Sequence, residues 1–443
     1  MRFSDELLVT LSPDGIDWLD GTIREGLNYV QQGEFSVPLD PKDILDRSAS
    51  IVWGGLMLPD TLPVLDNGCG DVLCLRFGRD GGLSEVIRWA HEGNYWQPFG
   101  NTLAEAILCD IASSRARGTL ADSEETGEVE RALERWAVDW TTRSTGPRLK
   151  WIDPCEGDRL SVFRCLLDAG ICEVVARSEF CRASLTSGLE QKSMETGGEQ
   201  IARDLSVDWA KMAEWLFDTA SVPDEYREQL SRILQMPIEE IKHQDWAQAT
   251  REAQRVRELR PDLAWPYAVM GWAAEREQDF LCAIADYTAG LRTLGSSLSC
   301  MSNVERGFVA ARLSHLLGGT SGDSTTDAYL EAALTPTTGA TFPSPIRQFW
   351  MREAQRAESS GDYRRAYECY YAAGWDDHVF NDMDQVLDGL VRSADRAGYA
   401  ALSRIARHHL NCMAETQKGP AKATTQMPRR SRLGSLLAWL FGR

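Results

Sequence analysis

Residues 264–291 read AWPYAVMGWAAEREQDFLCAIADYTAGL. Apolar residues recur here at helical spacing: Trp265, Tyr267, Met270, Gly271 and Ala274 in the first half, Phe280, Ala283, Tyr287 and Leu291 in the second. The stretch therefore reads as two helices joined near Gln278. Gly271 and Ala283 stand twelve positions apart. In a helix-turn-helix pair that spacing puts two small residues where the helices cross closely, while the large residues fill the grooves to neighbouring pairs.

The pattern extends in both directions. Ala249 lies thirty-four residues before Ala283, with Trp246 in the aromatic place and Pro261 ending the unit. A third unit covers 350–373, where Ala354 and Ala366 are again twelve apart, Gly361-Asp362-Tyr363 forms the turn and Tyr370 follows. Residues 304–317 and 328–334 supply the intervening pair, its loop lengthened over 318–326 and a further insertion running over 335–345. Across 245–374 the chain resembles the tetratricopeptide family, whose period is about 34 residues. It departs from that pattern at Gln278, where a turn glycine is usual. The resemblance implies a helical-repeat solenoid whose groove takes a peptide or partner helix. Trp246, Trp265, Tyr267, Gly271, Ala283, Tyr287, Trp350, Ala354, Ala366 and Tyr370 would pack the array or line the groove.

Upstream the pattern changes. Residues 1–113 mix short apolar runs with turn signals, and strands are expected over 49–53, 55–58, 72–77 and 85–89. Pro59, Pro63, Asn67-Gly68 and Asp80-Gly81-Gly82 separate them. Helices over 15–31 and 102–111 flank the strands, giving an α+β domain with an antiparallel-type sheet. Gly68 and Gly70 permit positive φ in a tight turn, and Asn67 and Asp71 can close it with side-chain bonds. No lysine and no helix pattern follow this turn, so it is not a phosphate-binding P-loop.

Several landmarks occur in order here: Pro63, the 67–71 turn running into the apolar 72–75, Ala90-His91-Glu92, Trp96, and an amphipathic helix over 103–111. In that order they resemble the SUKH superfamily over about residues 15–112, with Ala90 standing where an acidic residue is common. That superfamily includes bacterial immunity proteins and a fungal regulator of cell-wall synthesis. The resemblance implies a recognition domain that neutralises a toxin, often a nuclease or deaminase, by direct binding.

Charge bears on the partner. The chain carries a net charge of −19. Residues 1–112 hold 7 Lys and Arg against 18 Asp and Glu. Such a surface repels nucleic acid and attracts a basic protein with fast, salt-sensitive association. Asp71, Glu85, Glu92 and Trp96 are the expected recognition residues. A regulatory scaffold, binding clients through the helical groove, is the alternative reading.

The remaining signals set limits. A linker is expected over 114–128, a helical region without assigned role over 129–244, repeats over 245–415 and a basic tail over 416–443. The 11 cysteines are scattered without a Cys-x-x-Cys pair, and the six histidines are dispersed apart from His408-His409. No metal site, cofactor or catalytic motif is therefore expected. The N-terminus lacks an apolar leader and no run is long enough to span a bilayer, so a cytoplasmic protein is expected. In the tail, Leu433, Leu436, Leu437, Leu440 and Phe441 form one helical stripe with Trp439 at its border, preceded by Arg429, Arg430 and Arg432. Such a segment suits peripheral contact with an anionic membrane or with a partner.

Overall fold

The computed structural model describes residues 3–20, 33–46, 51–54, 57–91, 95–116, 130–145, 159–189, 198–293, 296, 298, 302–319, 327–335, 344–375 and 383–417. Helices α1 (Phe3–Leu7) and α2 (Pro13–Asp20) open the chain, followed by strand β1 (Val37–Pro38) and helix α3 (Pro41–Leu45). Four longer strands come next: β2 (Thr61–Asp66), β3 (Val72–Phe77), β4 (Leu83–Ala90) and β5 (Tyr95–Gly100). They pair antiparallel in sequence order, β1-β2-β3-β4-β5. Nearly every residue of β2 and β3 is buried, which requires cover on both faces. The turn between them closes as its sequence implies. Asn67 Oδ1 accepts from the N–H groups of Cys69 and Asp71 at 2.8 and 3.1 Å, and Gly68 and Gly70 take φ of 74° and 107°.

The strand expectations over 49–53 and 55–58 are not met. The described residues there, 51–54 and 57–58, are turn and irregular backbone, and the strand forms at Thr61–Asp66 instead. Pro63 does not separate strands but lies inside β2, where the register shifts between Pro63 and Leu65. A bulge is where a strand tolerates a residue without an N–H. Trp96 belongs to β5, a strand that the mixed run YWQPFG did not announce. The expected 15–31 helix corresponds to α2, and 21–32 lie outside the described residues.

Helix α4 (Leu103–Ala116) packs on β4 and β5, and α5 (Glu130–Thr145) and α6 (Arg159–Asp168) pack on α4. Then follow α7 (Glu173–Leu185), α8 (Gly198–Asp204), α9 (Trp209–Phe217), α10 (Asp224–Leu234) and α11 (Trp246–Leu259). The long partner of α11 is α7, not the segment just before it. Asp245 N–H donates to Ser184 O at 2.9 Å, and the Cys181 thiol lies 3.5 Å from Ala249 O. The boundary expected at 244/245 thus falls within a helix pair. Residues between the two helices build a separate apolar cluster around Trp215, Leu230 and Ile241.

The rest of the chain is α12 (Trp265–Arg276), α13 (Phe280–Arg292), α14 (Ser302–Gly319), α15 (Ala328–Leu334), α16 (Pro345–Ser359), α17 (Tyr363–Trp375), α18 (Met383–Ala397) and α19 (Ala400–Gln417). Each helix from α11 to α19 packs on the next. Gly271 is required by its neighbour, because a Cβ there would lie 2.5 Å from the Tyr287 ring. The α12–α13 and α16–α17 pairs match position for position. Asp279 and Asp362 cap the second helices, accepting from Cys282 and Arg365 N–H. Tyr287 donates to Glu275 at 3.0 Å, and Tyr370 to Glu358 at 2.9 Å.

The run of helices begins and ends on the sheet. Helix α7 packs on β5, and α19 returns to the N-terminal elements. There Arg404 donates to the Glu6 carbonyl, and His409 Nε2 donates to Thr61 O at 2.8 Å. The sheet and the last helix pairs share one apolar core, from Leu7 to Met413. No described helix is long and apolar enough to cross a membrane.

Candidate functional site

The sheet presents a line of charge along one end. Antiparallel register sets Thr61 opposite Arg76 and Arg76 opposite Glu85, so Asp60, Arg76 and Glu85 become neighbours across three strands. Arg76 Nε donates to Asp60 Oδ2 at 3.0 Å and Nη1 to Glu85 Oε1 at 2.8 Å. Its third edge, Nη2, reaches the hydroxyl of Tyr371 on α17 at 3.2 Å, and that hydroxyl donates to Asp60 Oδ1 at 2.9 Å. The guanidinium lies over the Trp96 ring, 4.8 Å from its centroid.

A second arginine extends the line. Arg260, at the C-terminal end of α11, donates to both Glu85 oxygens at 2.6 and 3.1 Å and to both Asp262 oxygens at 2.7 Å. Burial works against the Arg76 and Arg260 cations, but the carboxylates around them outweigh it and hold both protonated. Burial likewise pushes Asp262 up, and the Arg260 guanidinium overrides it, leaving that carboxyl below its usual range.

These groups floor a cleft of about 510 Å³ between the sheet, the end of α11 and α17. Tyr367 and Leu402 add apolar wall, while Ser84, Asn101 and the Arg79–Glu368 ion pair, 2.7 Å, stand at its edges. The lining contains no histidine or cysteine. Among the described residues no group of three His, Cys, Asp or Glu is placed to hold a metal ion.

No family model, curated protein or solved structure matches this chain.

Of the expected recognition residues, Glu85 lines this cleft and Trp96 lies behind Arg76, neither of them as a surface. Glu85 is 4% exposed and is held by two arginines, and Trp96 is 1% exposed beneath Arg76. Neither presents a face to solvent, which corrects the expected role. Asp71 lies five positions before Arg76, about 17 Å along an extended strand. There it accepts from the His91 N–H and faces His91 Nδ1 at 2.9 Å, with Arg88 at 3.2 Å. Burial raises the Asp71 carboxyl, but His91 and Arg88 overcome that and leave it lowered. Glu92 and the tail residues Arg429, Arg430, Arg432, Leu436, Leu437, Trp439, Leu440 and Phe441 lie outside the described residues.

Most of the residues expected to pack the helix pairs or line their groove lie inside. Trp265, Gly271, Ala283, Tyr287, Ala354, Ala366 and Tyr370 are buried. Trp246, Tyr267 and Trp350 are half-buried, with Trp246 against Phe217 and Trp350 against Tyr329. Sequence reading missed Asp60, Arg76, Arg260, Asp262, Tyr367 and Tyr371. One signal was available: Arg76 interrupts the apolar strand VLCLRF, where an interior arginine needs a carboxylate partner.

Proposed function

We propose that this is a non-enzymatic, cytoplasmic protein-binding protein that neutralises a basic toxin by direct contact, its helix pairs forming a tetratricopeptide-like solenoid. The resemblance of residues 15–112 to the SUKH superfamily suggests the role, and one observation carries the partner chemistry. Asp5 and Glu6 on α1 and Asp40, Asp43 and Asp46 around α3 are all exposed, and α1 packs on α3. Within the described part of 3–46, Lys42 is the one basic residue. An acidic rim of this kind steers a basic protein and gives salt-sensitive association.

Co-expression of the full chain with a panel of basic nuclease and deaminase toxin domains tests this reading. Rescue from at least one toxin is expected, and rescue from none overturns it. The alternative, a regulatory scaffold, draws support from Phe280 and Leu281, which open α13 at 48% and 81% exposed. Their Ala substitution would then remove client binding and leave toxin rescue untouched. In either reading the basic tail serves partner or peripheral membrane contact.

A further inference from the structure

We propose that the cleft floored by Asp60, Arg76, Glu85, Arg260 and Asp262 is a binding site for an arginine side chain of a bound protein. The inference rests on the reading of the protein as a binder of basic partners, and it names where such a partner is anchored. A volume of about 510 Å³ is ample for one guanidinium side chain with its flanking backbone.

The charge of the lining selects the sign of the ligand. On the floor three carboxylates, Asp60, Glu85 and Asp262, face two arginines, Arg76 and Arg260, while Glu368 at the edge is paired with both Arg79 and Arg365. One negative charge is left over, so an anion is repelled and a single cation completes the balance. On the floor the carboxylate in reach of a newcomer is Asp262, whose side chain is 50% exposed, whereas those of Asp60 and Glu85 are buried.

A second, independent feature points the same way. Tyr367 lines the cleft, is 6% exposed, and its hydroxyl makes no hydrogen bond with any described residue. Its neighbours Tyr371 and Tyr399 contact it through their rings. Its oxygen opens into the cleft, so a donor from outside can reach it. Burial pushes the phenol pKa well up, so Tyr367 stays neutral and its oxygen can accept. A guanidinium has the geometry to donate to Tyr367 and to Asp262 and to lie against an aromatic face, which an ammonium matches less well.

The test is a calorimetric or NMR titration of the full chain with a blocked Gly-Arg-Gly peptide, beside Gly-Lys-Gly and Gly-Glu-Gly. The arginine peptide should bind, the lysine peptide more weakly, and the glutamate peptide not at all. Tyr367→Phe removes only the unpartnered hydroxyl and should weaken arginine binding at least about 3-fold, with Asp262→Asn about 10-fold. No binding of the arginine peptide, equal binding of the glutamate peptide, or binding unchanged in both variants overturns the proposal. Should Asp262→Asn disturb Arg260, Tyr367→Phe still decides it. The two readings fail separately. A chain that binds the arginine peptide but rescues from no toxin sinks the toxin reading alone. A chain that rescues fully with both cleft variants and binds no arginine peptide sinks the cleft alone.

Discussion

Tyr371, on α17, donates its hydroxyl hydrogen to Asp60 just before β2, 2.9 Å away and 311 positions earlier in the chain. This bond, with Arg76 between them, ties the α16–α17 pair to the sheet. Tyr371→Phe should leave Asp60 and Arg76 each short of one partner in a buried place. The expected loss is about 1–3 kcal/mol. Glu85→Gln strips charge compensation from two arginines and should cost more, about 3–5 kcal/mol. Urea unfolding followed by tryptophan fluorescence measures both. An unchanged midpoint for Tyr371→Phe would mean that the bond does not hold α17 to the sheet.

The turns of the two matched helix pairs make a controlled comparison. Gln278 has φ of 65° and Gly361, seven positions after Ala354 as Gln278 is after Gly271, has φ of 79°. Left-handed backbone costs a residue with a Cβ roughly 1 kcal/mol that glycine avoids. Gln278→Gly should therefore stabilise the protein by about 0.5–1 kcal/mol, and Gly361→Ala should destabilise it by about 1 kcal/mol. Thermal and urea denaturation of the two variants should move in opposite directions. Movement in the same direction contradicts the assigned backbone.

The crossing of α12 and α13 has no room for a methyl group. A Cβ at Gly271 would meet the Tyr287 ring at 2.5 Å, and Tyr287 is fully buried. Gly271→Ala should cost about 1–3 kcal/mol through overpacking, although alanine is the better helix former. The double variant Gly271→Ala with Tyr287→Leu should recover part of that loss, which a double-mutant cycle reads directly. A stabilised single variant would place the crossing elsewhere.

The helix pairs were legible because their signal is periodic and local. Gly271, Ala283 and Tyr287 report a crossing geometry that no distant residue can override. The 67–71 turn and β3 were legible for the same reason. The α7–α11 pairing was not, because 68 positions, including a segment with its own core, separate Cys181 from Ala249. The cleft was hidden by the same kind of distance. Arg260 and Tyr371 meet Glu85 and Asp60 only after the helices return to the sheet, and no spacing in the chain announces that return. Glu85 and Trp96 were picked out as residues, but their partners decide their role, and those partners turned them inward.

His409 gives the docking of α19 a pH dependence. Burial pushes this imidazole down to about 4, against the opposing effect of its bond to Thr61 O. The folded state therefore binds the proton less well than the unfolded chain, near 6.5. The stability this group contributes is full above pH 6.5 and is lost as pH falls toward 4, amounting to about 3 kcal/mol. Asp110 has the opposite slope. Burial raises its carboxyl to about 7, so its contribution is lost as pH rises from about 4 through 7. The difference between wild type and His409→Gln removes the Asp110 effect. It should shrink as pH drops from 7 to 4, and a difference that stays constant refutes the assignment.

The acidic rim predicts partner behaviour. Association with a basic toxin should slow by tenfold or more between about 50 and 500 mM salt, because exposed charges are screened over that range. Stopped-flow association at several salt concentrations measures it, and a rate independent of salt would remove the rim from recognition.

The central question is whether the rim formed by α1 and α3 meets a basic partner. The most direct measurement is survival of cells co-expressing the chain with basic nuclease and deaminase toxin domains. Wild type is compared with a folded variant carrying Asp5→Lys, Glu6→Lys, Asp43→Lys and Asp46→Lys. Wild type should rescue from at least one toxin, and the variant should lose that rescue. Rescue that persists in the variant, or no rescue by wild type from any toxin in the panel, contradicts this expectation.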